Sequence, residues 1–334
     1  MSNDSQGIES DHEGGLRWAY VLDGARAGER LGWDEVRSWN TTKGRVWIHL
    51  DRGAEDAQAW LRTGSGVDAA LCEALLAEET RPRHFVAEGG LLLILRAVNL
   101  NPGAEPDDMI AVRIWAEERR VISLRQRRLR STYDAADEIE RGRGPRDVPN
   151  LLIRLLDGIS QRMEPVLENL ELLNDGLEEG VTTRPPREVR QELAEVRRQL
   201  IALRRYLAPQ RLALASLAAE QQLPWLTSDQ RLHLREYADR TARQVEELEL
   251  LREQAAVTKD ELANHVAEQL NARMYLLAIV TTVFLPLGLL TGLLGINVGG
   301  MPGAQDPRAF WLVCGILAAV GGAIAALLRW LRWY

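Results

Sequence analysis

"MYLLAIVTTVFLPLGLLTGLLGINVGGMPG", residues 274–303, joins a long apolar run to a short glycine-rich turn. The run from Met274 to Leu294 contains 21 residues without a charge, and a second uncharged run, Ala309 to Leu328, contains 20. As a helix each run is about 30 Å long, which is the thickness of the hydrocarbon core of a bilayer. The pattern predicts two transmembrane helices, about 274–296 and 309–329, joined by an extracytoplasmic loop at 298–308. The alternative is a buried hairpin in a soluble protein.

The charges that flank the two runs predict their orientation. Arg273 precedes the first run, and Arg329 and Arg332 follow the second, whereas the loop between the runs carries only Asp306 and Arg308. Because cytoplasmic flanks are rich in basic residues, both termini are expected in the cytoplasm, including a short tail at 330–334.

Small and polar residues recur on one side of the first span. Pro286 within the span removes a backbone donor and predicts a bend. The side chains with three-or-four spacing share a helix face, and they are Asn271, Met274, Thr281, Leu285, Gly288, Gly292 and Gly295. Such a face lines a wet path or packs against a neighbour, and the pair Gly288 and Gly292 matches the GxxxG packing motif. One helix cannot enclose a path, but several copies around an axis can.

The soluble part of the chain is acidic. The whole chain has a net charge of −7, and the segment from Asn271 onward has four arginines and one aspartate, so the first 270 residues carry −10. This charge argues against nucleic-acid binding and suits the attraction of cations. Cys72 and Cys314 predict no disulfide framework. The polar segment 1–15 is expected to be a disordered tail without a cleaved signal peptide.

Two regions follow the tail. Residues 16–147 alternate six strand-like segments with helical ones, which predicts an α/β or α+β domain with about six strands. Residues 148–226 read as long helices, with a kink at Pro165 and a helix start at Pro185 and Pro186. The usual nucleotide-binding and hydrolase motifs do not occur, and no nucleophile–base pairing stands out, so the chain is not expected to be an enzyme.

A very long helix is predicted to enter the membrane. Thr227 to Gln230 has the composition of a helix cap, and no Pro or Gly follows until Pro286. This uninterrupted pattern of about 58 residues corresponds to about 87 Å of helix. We expect a stalk helix at 227–297 that continues into the first span, and parallel copies of it that stabilise one another in an oligomer.

Some polar residues are candidate metal ligands. The pairs Glu261 with His265 and Asp229 with His233 lie four residues apart on this helix, so each pair is able to share a metal ion. The alternative is that they are solvated or make polar contacts between helices. Carboxylates at 104–109 and 137–140 suit hard or borderline cations, or else belong to a solvated loop or helix face.

The order of these features resembles the CorA family of divalent metal-ion transporters. A long soluble domain is followed by a stalk helix, a "GIN" tripeptide at Gly295, Ile296 and Asn297, a "VGGMPG" turn and a second span. The family hallmark at this place is Gly-Met-Asn. The Gly-Ile-Asn variant, together with "EETRPR" at 78–83, is similar to the zinc-transporting ZntB branch of the family.

The resemblance implies a funnel-shaped homopentamer of the bacterial inner membrane that transports Zn²⁺ and needs no cofactor. It implies a selectivity mouth at Gly295, Ile296 and Asn297, where a ring of amide oxygens would hold a hydrated cation. The implied pore-lining positions are Gly292, Gly288, Leu285, Thr281, Leu277, Met274 and Asn271. Gly288 stands where magnesium-type members tend to have a threonine, and the apolar positions would form constrictions.

The resemblance leaves three points of function open. Uptake is the preferred direction, and proton coupling is an open alternative. A magnesium, cobalt or nickel channel would have the same architecture. A membrane-anchored oligomeric scaffold or sensor is the alternative from a different class of protein.

Overall fold

The computed structural model describes residues 13–296, 303 and 306–330. The strands are β1 Leu16–Val21, β2 Val46–Asp51, β3 Arg83–Ala87, β4 Gly90–Ala97, β5 Ile110–Glu117 and β6 Arg120–Arg125. The α-helices are α1 Trp33–Arg37, α2 Glu55–Thr63, α3 Ala69–Leu76, α4 Arg130–Glu140, α5 Val148–Gln161, α6 Glu164–Thr183, α7 Pro186–Ala219, α8 Ser228–Leu294 and α9 Ala309–Trp330. The chain divides into two compact units between Lys259 and Asp260, within α8.

The first unit contains a six-stranded sheet, which confirms the predicted strand content. The strand order is β1-β2-β6-β5-β4-β3, and β2 and β6 are parallel whereas the other neighbours are antiparallel. Successive side chains of each strand point to opposite faces of the sheet. Each face forms a core with the helices that cover it. Leu92 and Ile94 join the core with α2 and α3, whereas Leu91 and Leu93 join the core with α4 and α5.

A buried histidine lies on the side of the sheet that packs against α4 and α5. The Nδ1 atom of His49 on β2 is 2.7 Å from Oγ of Ser123 on β6, and the ring stacks on Trp18 at 4.3 Å. Burial, with the nearby charges of Arg125 and Arg17, holds the pKa of His49 well below its ordinary value of 6.5. The ring is therefore neutral in the folded protein at neutral pH.

The helical region differs from the prediction at Pro165. Instead of a kinked helix, the structure has two helices, because α5 ends at Gln161 and α6 begins at Glu164 with Pro165 in its first turn. Proline is tolerated there because first-turn N–H groups have no partner within the helix. Pro185 and Pro186 do mark a helix start, since α7 begins at Pro186.

The predicted cap of the long helix is formed. The backbone N–H of Thr227 donates to Oε1 of Gln230 at 3.0 Å, and the backbone N–H of Gln230 donates to Oγ1 of Thr227 at 3.3 Å. This reciprocal capping box fixes the start of α8. Pro286 lies within the helix, which continues to Leu294.

The two carboxylate clusters singled out in the sequence make ion pairs with arginines. In the loop at 104–109, Asp107 is 2.9 Å from Arg198 and Asp108 pairs with Arg127. The second cluster lies in α4, a helix that the sequence analysis did not predict, and there Glu138 makes a bidentate pair with Arg154. These carboxylates are therefore engaged in ion pairs within the first unit.

Candidate functional site

Both predicted spans are helices whose apolar surface is open in the single chain. The most apolar stretch of α8 has a mean hydropathy of 2.2 with no buried residue, and that of α9 has a mean hydropathy of 2.3 with 6% of its residues buried. Leu277 is 60% exposed and Leu285 is 70% exposed. Surfaces of this length and composition need an apolar surrounding, and a bilayer or neighbouring subunits supply one.

The small and polar stripe lies on one face of α8. At 100° per residue, the positions from Asn271 to Gly295 fall within an arc of about 120°. All of them are exposed in the single chain, and they are Asn271, Met274, Leu277, Thr281, Leu285, Gly288, Gly292 and Gly295. The stripe is therefore one continuous surface without an acidic or basic side chain.

The half-buried side chains of this segment lie on the opposite face. Tyr275, Ile279, Val283 and Leu287 follow four-residue spacing, and their centre is about 160° round the helix from the centre of the stripe. A Cβ on Gly321 of α9 would lie 3.8 Å from Cδ1 of Leu287. Helix α9 thus approaches α8 on the side away from the stripe, and the stripe is left free for other contacts.

The one hydroxyl group on the stripe keeps acceptor capacity. Thr281 donates its Oγ1 hydrogen to the carbonyl of Leu277 at 2.8 Å, which leaves the oxygen lone pairs free to accept from water or to face a cation. Pro286 has no N–H, so the carbonyl of Thr282, four residues earlier, lacks its usual helical donor. Polar oxygen is thus available near the middle of an otherwise apolar span.

Two glycines leave a notch in the stripe. A Cβ at Gly288 or at Gly292 would meet no heavy atom within 4 Å among the described residues. An open groove runs over this notch, and it is lined by Val280, Thr281, Phe284, Leu285, Gly288 and Leu289. Three of these residues, Val280, Phe284 and Leu289, flank the predicted stripe and were not predicted from the sequence. Three-or-four spacing from Leu277, Thr281 and Leu285 reaches them.

The implied mouth is described only in part. The backbone N–H of Gly295 donates to the carbonyl of Thr291 at 2.9 Å, which closes the last turn of α8 before Ile296. Asn297 lies outside the described residues, so its role as a mouth residue stays a prediction.

The two candidate metal pairs on α8 are placed on the helix as the sequence predicts. His233 Nδ1 is 3.7 Å from Glu236 Oε2, and His265 Nε2 is 2.9 Å from Nε2 of Gln269. Among the residues that the structure describes, no group of three or more His, Cys, Asp or Glu side chains is arranged to hold a metal ion. Each pair therefore remains a predicted site to which one chain contributes at most two ligands. The pairs are Glu261 with His265 and Asp229 with His233.

Comparison with known proteins gives one consistent result. The family profile described as "CorA-like Mg2+ transporter protein" matches residues 42–330. The chain is 40% identical to the divalent cation transporter CmaX of Pseudomonas aeruginosa over 98% of this chain and 99% of the relative. It is 33% identical to the zinc transport protein ZntB of Pectobacterium atrosepticum over 98% of both chains. The solved structure of full-length CmaX matches with a TM-score of 0.83 and 39% identity, over 97% of this chain and all of that chain.

Proposed function

Because the chain belongs to the CorA family of metal-ion transporters, we propose that it moves zinc across the bacterial inner membrane through the central pore of a homopentamer. The observation that carries the proposal is the uncharged stripe on α8, on the face away from α9. Five such faces around an axis enclose a path, and α9 is then on the lipid side. Both termini are cytoplasmic in this arrangement, in agreement with the flanking arginines.

The side chains of the stripe have separate roles in this pore. Rings of Met274, Leu277 and Leu285 form apolar constrictions that exclude water when they close. Rings of Asn271 and Thr281 offer amide and hydroxyl oxygens to the waters of a hydrated cation. A ring of Asn297 does the same at the outer mouth. These contacts are weak and repeated, which allows an ion both to enter and to leave.

The lack of carboxylates on the stripe suits fast passage of a divalent ion. A ring of acidic side chains would bind a bare cation tightly, whereas neutral oxygens hold its hydration shell without stripping it. The acidic first unit supplies long-range attraction, since a pentamer multiplies the charge of each chain by five. Inward transport with proton coupling is the mode that we propose to test.

A broader divalent-cation specificity is the second candidate function. The observation in its favour is that the identity to CmaX, named as a divalent cation transporter, exceeds the identity to ZntB. Gly288 supports either candidate over a magnesium-selective pore, because it places no side-chain oxygen on the stripe.

The test is zinc flux into proteoliposomes that hold a zinc-sensitive dye. We expect flux in the wild type, loss of flux in Asn297→Ala and reduced flux in Thr281→Val, which removes a hydroxyl from the stripe. The matched control is Thr282→Val, because Thr282 is the next residue along and lies 100° round the helix. Competition by magnesium, cobalt and nickel separates the two candidates, and an imposed pH gradient reports proton coupling. No cation flux in intact pentamers, or equal effects of the two threonine variants, would refute the pore.

A further inference from the structure

Two adjacent helices of the first unit carry opposite charge. Helix α6 has six acidic residues and no basic residue, whereas α7 has seven arginines and three glutamates. The three glutamates of α7 are engaged within the chain, because Glu188 and Glu192 pair with Arg184 and Glu195 pairs with Arg198. Most of the positive charge of α7 is therefore left without a partner on its own helix.

The outward face of α6 is acidic with an apolar centre. Leu167, Leu170 and Leu177 are buried, and the face turned away from them is exposed. Its members are Glu168, Leu172, Asp175 and Glu179, and Leu172 is 72% exposed. No ion pair to these carboxylates occurs among the described residues. Burial raises the pKa of Glu247 on α8, and the negative charges of Glu171, Glu168 and Glu164 on α6 raise it further.

The outward face of α7 is basic and also has an exposed apolar residue. Leu193, Leu200 and Leu207 are buried, and the arginines that lie toward the other side have no ion pair within the described part of the chain. These arginines are Arg187, Arg190, Arg197 and Arg205. Ile201 lies among them and is 57% exposed.

We propose that the acidic face of α6 docks onto the basic face of α7 of a second copy of this chain. The two faces lie on the outer sides of one packed helix pair, so they are exposed together and complement each other between copies. A contact of one patch with a different patch of the next copy is head-to-tail, and it closes into a ring when the rotation permits. The inference rests on the oligomer of the proposed function, and it names the surface that joins neighbouring subunits.

The helix pair also sets the register of this contact. A Cβ at Gly180 of α6 would lie 3.5 Å from Cγ2 of Val189 of α7. A residue a given number of positions before Gly180 is therefore at the same height as the residue that many positions after Val189. Where α6 and α7 run along the ring axis, rotation from one copy to the next leaves the height of each residue along that axis unchanged. Glu179 then meets Arg190 of the next copy, and Glu168 lies level with Ile201, one helical turn from both Arg197 and Arg205. Leu172 lies level with Arg197, one helical turn from Ile201.

The first test is cross-linking of the full-length chain in membranes. In a Cys72→Ala, Cys314→Ala background, Leu172→Cys with tag A and Ile201→Cys with tag B are co-expressed and treated with a short bis-maleimide. We expect a band that carries both tags, and a ladder up to a closed pentamer when both substitutions are in one chain. The matched control replaces Ile201→Cys with Leu232→Cys, which is 55% exposed on α8. Absence of the mixed band from intact pentamers overturns the inference and leaves the proposed function standing.

The second test is charge reversal with rescue, read as the subunit concentration at which pentamers dissociate in native mass spectrometry. We expect Arg190→Glu with Arg197→Glu to weaken association about tenfold, and added Asp175→Arg with Glu179→Arg to restore it. The matched control reverses Arg143 and Arg146, two exposed arginines of the α4–α5 loop. Loss without rescue means that α7 binds another acidic partner or an anionic lipid surface, and it overturns the inference. A monomeric wild type overturns both this contact and the pentameric pore.

Discussion

The neutral histidine in the core predicts how the stability of the first unit depends on pH. His49 is 1% exposed, and its Nε2 atom has no hydrogen-bond partner among the described residues. Its pKa in the folded protein lies below the ordinary value of 6.5. Between these two pKa values the unfolded chain binds a proton that the folded chain does not bind. The contribution of His49 to the free energy of unfolding is therefore fully present above pH 6.5 and is lost as the pH falls below it.

The size of the effect follows from the linkage relation. Each pH unit below the ordinary pKa costs about 1.4 kcal/mol until the folded pKa is reached. From about pH 7.5 to about pH 5.5 the expected loss from His49 is at most about 1.4 kcal/mol, the limit for a folded-state pKa below this range. For a unit of this size the loss corresponds to a decrease in Tm of about 3 to 6 °C.

The assay is thermal unfolding of the full chain in detergent, followed by tryptophan fluorescence, for wild type and His49→Gln at both pH values. We expect His49→Gln to be less stable at the higher pH, because its packing on Trp18 is lost, and to lose less Tm on acidification. His84→Gln is needed beside it, because burial also lowers the pKa of His84. His233→Gln is the control for an exposed histidine. Parallel losses of Tm in wild type and His49→Gln would refute the reasoning.

Three further predictions follow from the structure. Thr227→Ala breaks the capping box of α8 and should lower the stability of the first unit by about 1 kcal/mol in thermal unfolding, whereas the neighbouring Ser228→Ala should change it little. Leu93→Ala empties a fully buried position and should cost about 2 to 5 kcal/mol, whereas Leu232→Ala, at an exposed position, should stay within about 0.5 kcal/mol in the same assay. Gly288→Thr adds a hydroxyl where a Cβ meets no atom of the described chain, so the fold should be unchanged and the ratio of magnesium to zinc flux in proteoliposomes should rise. An unchanged ratio would mean that this position does not face the ion.

Local sequence patterns predicted most of the elements but not how they are arranged. The six strands could be found because their alternation is carried by adjacent residues, and the start of α8 because Thr227 and Gln230 are three residues apart. The parallel pairing of β2 with β6 depends on contacts across more than 70 residues, and no local pattern contains it. Helix α4 was missed because Ser131, Thr132 and Asp134 have low helix propensity, which packing of its buried face overcomes.

The same distinction applies to the site. Three-or-four spacing predicted that Thr281, Leu285 and Gly288 share a face, since that is a property of one helix. It could not show that α9 approaches the opposite face at Leu287, because that contact joins two helices. The prediction of cation ligands at 104–109 and 137–140 could not include Arg198 and Arg154, which are distant in sequence from their partners Asp107 and Glu138.

The order of the two units along the chain affects how the protein is made. Strand β6 completes the sheet at Arg125, whereas the first apolar span begins at Met274. A ribosome therefore synthesises every strand, and all of α4 to α7, before any membrane segment leaves its exit tunnel. Because domains generally fold as units during synthesis, the first unit is able to fold in water before the insertion machinery engages the chain. Variants that slow folding of the sheet should then expose an unfolded chain to cytosolic proteases before it reaches the membrane.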